Sequence, residues 1–108
     1  MNVDAILKIV KKFRELDPDV TFSVAHVFLL VAKAGDEGIS LTEVAEKSGL
    51  GLSSVSRHCA YLGKINRHHE EGYNLIQTHE DPMERRRRLA TLTGKGKAFI
   101  NQLTKEVA

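Results

Sequence analysis

Two clusters of side chains in this 108-residue chain have the chemistry to recognise nucleic acid. The first cluster combines short hydroxyls with one guanidinium and one phenol, and its members are Ser53, Ser54, Ser56, Arg57 and Tyr61. Hydroxyl groups bond base edges or phosphate oxygens, whereas arginine reads guanine or grips phosphate. The second cluster is an unbroken run of four arginines, Arg85, Arg86, Arg87 and Arg88. Both clusters need rigid elements to present them.

The hydroxyl cluster follows a segment with the signature of a short helix. Ser40 can cap this helix, and Glu43, three residues on, can reach back to the cap as in a capping box. Ile39 and Val44 are spaced as the hydrophobic staple that accompanies such a box. Gly49 ends the helix, because glycine tolerates the left-handed conformation found at many helix C-termini.

A second helix is predicted to begin at a Ser53 cap and to carry the hydroxyl cluster outward. Its apolar residues Val55, Cys59 and Leu62 fall at i, i+4 and i+7, which places them on one core-facing side. Ala60 lies on the outward side with the cluster. Two short helices joined by a tight turn, the second lacking bulk outside, indicate a helix-turn-helix whose second helix enters a major groove.

The N-terminal third reads as two more helices. The first, Val3 to Leu16, carries an apolar stripe that is broader than one contact surface needs. This breadth favours dimerisation over packing against its own domain alone. The stripe consists of Val3, Ile6, Leu7, Ile9, Val10, Phe13 and Leu16. Pro18 breaks this helix. Asp19 or Thr21 then caps a helix that runs to about Ala34 and is apolar nearly all round, so we expect it to be central. Its His26 is expected to be structural or partly exposed. Gly35 to Gly38 are expected to form a turn, and Ile39 to contribute to a short strand.

The C-terminal part reads as a β-hairpin followed by a helix. Residues 63–72 are a polar loop, 73–79 a strand, 80–83 a turn and 85–92 the returning strand. Alternation puts Arg85 and Arg87 on one side of the hairpin and Arg86 and Arg88 on the other. Such a ribbon can reach a minor groove, although a charge run is more often simply a solvated face. Thr93 caps the last helix, whose core or partner face is Ala98, Phe99, Ile100, Leu103 and Val107.

We therefore predict a winged helix-turn-helix fold, mostly α with a small β-hairpin wing (α+β). By size, residues 1–108 form a single domain, with 1–16 and 94–108 as dimerisation helices. The net charge is only +2, but residues 1–50 carry six Lys/Arg against eight Asp/Glu, whereas 51–108 carry ten against six. The basic character thus lies in the half that holds both clusters, as is typical of nucleic-acid binding.

Other chemistry finds little support in the sequence. A lone cysteine, Cys59, excludes an internal disulfide and fits a reducing, cytoplasmic setting. The chain opens without a signal peptide, and its longest apolar run is too short to span a bilayer, so we expect no membrane. His58 and Cys59 are neighbours in a helix and diverge too far to form a nucleophile–base pair. His68, His69 and His79 lack the ordered spacing of a metal site. We expect neither an enzyme nor a cofactor.

Two stretches resemble the MarR family of winged-helix transcription regulators. Residues 41–62, LTEVAEKSGLGLSSVSRHCAYL, resemble its helix-turn-helix, including a Ser-Arg pair at Ser56 and Arg57. Residues 81–96, DPMERRRRLATLTGKG, resemble its wing, in which an Asp-Pro turn, an acidic-Arg-Arg step and a Leu-Thr-x-x-Gly exit recur. The second stretch is the more specific, because all three features come at the family's spacing. Together the two cover about a third of the chain.

The resemblance implies a homodimer that reads an inverted repeat of double-stranded DNA. By the family pattern Ser54, Ser56 and Arg57 contact bases or phosphate, and Arg86 enters the minor groove; Arg85, Arg87 and Arg88 are added from charge and position. Glu84 stands where the family usually has Asp, a change that alters a salt bridge bracing the wing. The loop between Gly63 and Gly72 is longer than usual, and a final dimerisation helix is missing or merged. A small-molecule effector is therefore a lesser expectation. Dimerisation is assigned to Val3, Ile6, Leu7, Val10, Phe13, Phe99 and Leu103.

The sequence thus favours a dimeric, sequence-specific DNA-binding regulator, most simply a repressor that occupies its operator. The alternative is a winged-helix module that binds a protein, which would expose apolar anchors on the second helix of the helix-turn-helix. Binding of RNA or single strands needs several exposed aromatic residues for base stacking. That interpretation is the least favoured, because the chain has only six aromatic residues and most fall on core-facing stripes.

Overall fold

The computed structural model describes residues 2–64 and 72–107. Within these ranges the chain forms five helices and one three-stranded antiparallel sheet, in which β3 lies between β1 and β2. The helices are α1 (Val3–Leu16), α2 (Phe22–Ala34), α3 (Leu41–Ser48), α4 (Leu52–Leu62) and α5 (Gly94–Val107). The strands are β1 (Ile39–Ser40), β2 (Ile76–Asp81) and β3 (Glu84–Leu92), and a short 3-10 turn, Gly35–Glu37, precedes β1. The predicted winged helix-turn-helix is confirmed. No helix in the described ranges has the length and apolar character needed to cross a bilayer.

Side-chain caps set the starts of the first three helices. The side chain of Asn2 accepts a hydrogen bond from the Ala5 N–H at 2.8 Å, and Thr21 accepts one from the Val24 N–H at 3.2 Å. The hydroxyl of Ser40 accepts the Glu43 N–H at 3.1 Å, as the capping-box pattern predicts. These bonds satisfy backbone donors that the first helical turn leaves without a partner.

The turn between α3 and α4 follows the prediction at Gly49 and departs from it at the next cap. Gly49 is left-handed, with φ of 78°, and ends α3. The helix α4 starts earlier than predicted, because Gly51 is its N-cap and the Val55 N–H already bonds the Gly51 carbonyl at 3.0 Å. Ser53 therefore lies inside the first turn rather than at the cap. Ser53 is exposed at this position.

Three phenylalanines join the helices α1, α2 and α5 in the core. The ring of Phe13 packs edge-on against Phe28 and Phe99, with centroid distances of 6.0 and 5.3 Å, and Phe28 and Phe99 are 5.5 Å apart. Edge-to-face pairs of this kind add a specific geometry to the burial of apolar area. The inward residues Val55, Cys59 and Leu62 attach α4 to the same core, as predicted.

The helix α2 is less central than its composition predicts. Its side facing the core consists of Val24, Val27, Phe28 and Val31, all buried. The opposite side leaves Phe22 85% and Leu29 40% exposed, and His26 is exposed between them. A domain of this size has too few elements to cover a helix on all sides, so part of its apolar surface faces solvent.

The strand β2 begins three residues later than predicted, because the backbone of the preceding residues is used elsewhere. Asn74 has a positive φ of 55°, which interrupts the extended conformation. The Leu75 N–H donates to the Leu62 carbonyl at 2.7 Å, and the Leu75 carbonyl accepts the Thr93 N–H at 3.0 Å. Leu75 therefore joins the end of α4 to the start of α5, and we call these two backbone bonds the Leu75 clasp.

The start of α5 is built around the same contact. The Thr93 hydroxyl accepts the Gly96 N–H at 3.0 Å, which confirms the predicted cap, and donates to the Asn74 carbonyl at 2.6 Å. Gly96 lies against the Leu75 carbonyl, which occupies the space that a Cβ atom would need. Gly96 costs stability in a helix, but it permits this close approach of two backbones.

Candidate nucleic-acid interface

The outward face of α4 presents the hydroxyl cluster. Ser53, Ser56 and Arg57 are exposed, and Ser54 is half-buried. The Nη2 atom of Arg57 donates to the Ser54 hydroxyl at 3.1 Å, so the guanidinium lies along the helix surface rather than extending freely. Residues three apart in a helix are neighbours, so Ser54 is within reach of the Arg57 guanidinium. The structure thus brings Ser54 and Arg57 together.

Tyr61 departs from the outward orientation expected of it. Its ring is half-buried and packs against Tyr73 with the centroids 5.1 Å apart. Tyr61 is the last but one residue of α4, so its side chain faces the segment that leads into β2. The pKa of Tyr73 is raised by burial first and then by the negative charge of the nearby Asp17. The pair therefore packs α4 against the segment that leads into β2.

The neighbours His58 and Cys59 differ in environment, as expected of adjacent residues in a helix. Cys59 is buried, and burial raises the pKa of its thiol to about 11, so the thiol stays protonated and unreactive at neutral pH. His58 is half-buried, and its pKa is lowered, first by burial and then by the positive charge of Arg57. His79 is exposed on β2, whereas His68 and His69 lie outside the described residues. Within those ranges, no three potential metal ligands gather in one place.

The wing is a hairpin whose turn is held by Asp81. The strand β2 extends to Asp81 and β3 begins at Glu84, so the turn consists of Pro82 and Met83 rather than the predicted residues 80–83. The Oδ1 atom of Asp81 accepts the Met83 N–H at 2.9 Å across this turn. The ladder pairs Glu80 with Arg88 and then Asp81 with Glu84. This register shift leaves residues 85–87 without directly opposed partners on β2. All four arginines are exposed.

The structure divides the four arginines by what they touch. The Nη2 atom of Arg88 donates to the Thr78 hydroxyl at 2.7 Å. Arg87 points to the other side, as strand alternation predicts, where its Nη2 lies 3.4 Å from the Ser40 hydroxyl and its Nε 3.9 Å from Asp81 Oδ2. In the described part of the chain, the guanidinium groups of Arg85 and Arg86 have no such protein partner.

The salt bridge that braces the wing uses a different acid from the one we expected. Asp81, from the Asp-Pro turn, pairs with Arg87. Glu84 instead accepts a hydrogen bond from the backbone N–H of Arg86 at 3.4 Å. Sequence reasoning missed Asp81, Thr78 and Ser40 as partners of the arginines. The Asp-Pro pair did mark the turn, but the link to Ser40 spans 47 positions of sequence and has no local signature.

The residues assigned to dimerisation separate into two groups. Val3 is 70% exposed and Leu7 60%, and Ile6 is also exposed, while Val10 is half-buried. Phe13 and Leu103 are instead buried in the core of their own chain, and Phe99 is partly buried against it. The apolar stripe of α1 is broad enough for one side of it to pack against α2 and α5. Phe13 lies on that side, where it contacts Phe28 and Phe99. The side chain of Val107 lies outside the described residues.

Comparison with solved structures places this architecture among known folds. No family model matches the chain, and no curated protein matches it. The Staphylococcus aureus MepR–DNA complex is similar over 94% of this chain and 73% of its own, with 19% identity and a TM-score of 0.76. Rv1404 from Mycobacterium tuberculosis covers 94% of this chain with 62% of its own length, at 22% identity and a TM-score of 0.71. A cysteine-to-serine mutant of Escherichia coli MarR on operator DNA covers 96% of this chain with 69% of its own, at 21% identity and a TM-score of 0.68.

The chain thus spans about two thirds of the length of these structures. The chain has a MarR-like winged-helix fold.

Proposed function

We propose that this protein is a sequence-specific regulator of transcription that binds double-stranded DNA as a homodimer. The observation that carries the proposal is a pair of exposed surfaces on contacting elements: the face of α4 that carries hydroxyls and Arg57, and the β2–β3 hairpin that carries exposed arginines. The first suits base edges in a major groove, and the second suits the adjacent minor groove and its phosphates. Two chains of the same fold, MepR and MarR, were solved bound to DNA.

Base recognition is assigned to the N-terminal half of α4. Recognition helices contact base edges mainly through residues near their N-terminus, which here are Ser53, Ser54 and Arg57. Arg57 is the one arginine on this helix, which makes it the main candidate for reading guanine. In the wing, Arg85 and Arg86 extend from the tip and are assigned to the minor groove. Salt-dependent affinity follows, because each neutralised phosphate releases counterions.

Dimerisation is assigned to the exposed apolar side of α1. Val3, Ile6 and Leu7 turn their side chains to solvent in the single chain, which is unusual for three large apolar residues of one helix. A two-fold dimer held there would present two α4 helices to an inverted repeat, with half-sites about one helical turn apart. Binding over an operator then blocks polymerase sterically, which is the action of a repressor. A small-molecule effector is not required by this mechanism.

The rival assignment, a module that binds a protein through the same surface, has one observation in its favour. Leu52, the first residue of α4, is 50% exposed. Hot spots of protein interfaces usually combine several buried anchors, and the rest of the outward face is made of short hydroxyls and Arg57. We therefore prefer DNA as the partner.

The test is selection of bound sites from a random pool of duplex DNA, followed by salt titration on the winning sequence. An enriched inverted repeat supports DNA binding, specificity and the two-fold dimer together. Enrichment of a single half-site would retain DNA binding and reject the dimer. Weak, salt-sensitive binding without enrichment would reject the proposal and favour a protein partner.

A further inference from the structure

A cavity between α1 and α2 joins the exposed apolar sides of these two helices. The cavity has a volume of about 180 Å³, and Val10 lines it from α1 while Phe22 and Ala25 line it from α2. Leu7, one turn before Val10, extends this surface along α1, and Leu29, two turns after Phe22, extends it along α2. We call the combined surface the α1–α2 face, and its large apolar members are Val3, Ile6, Leu7, Val10, Phe22 and Leu29.

The α1–α2 face is large enough to hold a protein partner. Phe22 is 85% exposed, Val3 70% and Leu7 60%. With these exposed fractions, the six side chains present on the order of 500 Å² to solvent, which is near the upper end for the largest apolar patch of a monomer. Two such faces in contact, with their polar rims, bury more than the total of about 1,000 Å² that a specific interface requires.

The shape of the face suits a second copy of the same surface. A two-fold interface brings one patch against a rotated copy of itself, so the patch must be self-complementary. Here a projecting ring, Phe22, stands at the edge of a cavity. Cavities of roughly 150 Å³ hold a benzene ring, so this one has room for a phenyl group. A two-fold axis that passes between ring and cavity places each ring over the cavity of the other protomer.

The cavity also carries a cation at a useful position. Arg14 is exposed and lines the cavity together with Val10 and Phe22. A guanidinium group stacks favourably on the face of an aromatic ring. A ring inserted by the partner would therefore meet both an apolar wall and a cation.

We propose that a second copy of the chain covers the α1–α2 face and that Phe22 of each protomer fills the cavity of the other. This inference rests on the proposed homodimer and extends its interface from α1 to α2. It makes Phe22 an anchor of the interface, because aromatic residues that fill a pocket contribute much of the binding energy of an interface.

The experiment treats ring and cavity as the two sites of a double-mutant cycle. Phe22→Ala removes the ring, and Ala25→Leu fills the cavity from within its own chain, where open space is available to the larger side chain. Met83→Ala is the matched control, because Met83 is another large apolar residue that is almost fully exposed, but it lies at the wing tip. The dissociation constant of the dimer is measured for each protein by sedimentation equilibrium.

We expect Phe22→Ala to raise the dissociation constant roughly ten-fold for each ring, and hence about a hundred-fold for the symmetric dimer. Ala25→Leu should also raise it, because the partner's ring is then excluded. The double variant should lose less than the two separate effects combined, since ring and cavity no longer meet in either single variant. Met83→Ala should leave the dissociation constant unchanged.

Thermal unfolding in dilute solution separates loss of the interface from loss of the fold, and Ala25→Leu carries the test if Phe22→Ala does not fold. Wild-type dimerisation of Phe22→Ala, together with loss of the dimer in Leu7→Glu, would overturn this inference and leave a dimer joined at α1 alone. Fully additive effects in the cycle would likewise show that ring and cavity do not meet. A wild-type chain that stays monomeric at every concentration would instead overturn the proposed homodimer and this inference together.

Discussion

Arg87 lies within the arginine run, yet both of its partners belong to the protein. It bridges Asp81, which holds the wing turn, and Ser40, which caps α3. The side chain of Asp81 is only 14% exposed, whereas that of Arg87 is 51% exposed. We therefore predict that Arg87 orients the wing relative to the helix-turn-helix and contributes to DNA binding through that orientation, unlike Arg86.

The size of the effect follows from the geometry. Partly exposed ion pairs contribute about 0.2–1 kcal/mol, and distances of 3.4 and 3.9 Å suggest no more than this for Arg87. A loss of about 0.5–1 kcal/mol per protomer weakens the binding of one half-site roughly two- to five-fold. A dimer with two wings would lose the square of this factor.

The assay is a double-mutant cycle on DNA affinity, made from Arg87→Ala, Asp81→Asn and their combination. Asn keeps the oxygen that accepts the Met83 N–H, so the turn itself is preserved. Loss of a negative charge near DNA should tighten binding in the Arg87→Ala background. In the wild-type background Asp81→Asn also removes the ion pair with Arg87 that orients the wing. The increase in DNA affinity should therefore be smaller there, or should become a decrease. The coupling between the two sites measures the orienting role.

Two results would refute this reasoning. The first is Asp81→Asn tightening binding by the same factor in both backgrounds, since the pair would then have no coupling. The second is Arg87→Ala flattening the salt dependence as much as Arg86→Ala, which is the mark of a lost phosphate contact. Arg87→Lys is a further check, because a lysine keeps the charge but lacks the fork that spans both partners.

Four further outcomes are expected. Arg57→Ala should relax base preference at one position of each half-site and cost about 1–3 kcal/mol; an unchanged site profile from repeated selection would contradict the role in base reading. Leu7→Glu should shift sedimentation towards the monomer with little change in unfolding temperature, because its side chain is largely exposed in the single chain; a dimer that persists would place the interface elsewhere. Gly96→Ala should lower the free energy of unfolding by about 1–3 kcal/mol, because a backbone carbonyl fills the position of the added Cβ atom. Gly94→Ala, which has open space at that position, is the control and should have little effect. Equal unfolding midpoints for the two variants would disprove this. The raised pKa of Cys59 means that the unfolded thiol ionises from about pH 9 while the folded thiol holds its proton to about 11, so stability should fall as pH rises through that window. Cys59→Ala should lose this part of the decline, and an identical pH profile in denaturant unfolding would show that the thiol does not titrate this way.

Much of the helical framework could be predicted because its determinants are local. The bounds of α1, the Ser40 cap and the left-handed Gly49 all depend on residues within about one turn of each other. For α2 the sequence left Asp19 and Thr21 as alternative caps, and the structure has Thr21. The inward face of α4 was readable for the same reason, since a 3.6-residue period projects directly onto burial. Its cap was misassigned because Gly51 and Ser53 are both acceptable N-cap residues, and only packing chooses between them.

The strand β2 and the partners of the arginines could not be read in this way. Strand propensity favours residues 73–79, but the backbone of Leu75 bonds to the end of α4 and to Thr93, which are contacts made by the tertiary fold. The same holds for Arg87 and Ser40, which approach only because β1 pairs with β3. The pattern of charge predicted that the four arginines are exposed. It could not predict which of them bond to the protein, because that depends on the register in which β3 pairs with β2.

The Leu75 clasp has a mechanical consequence for a dimer joined at α1. The helix α5 packs on α1 through Phe99 and Phe13. The clasp connects Thr93, the residue before α5, to Leu62, the last residue of α4, by two backbone bonds through Leu75. Backbone bonds at this point leave little room for α4 to pivot independently of the dimer axis. The distance between the two recognition helices of such a dimer would then be fixed. An operator with one base pair added between its half-sites would bind poorly because the half-sites no longer match this distance, even though every base contact is still available.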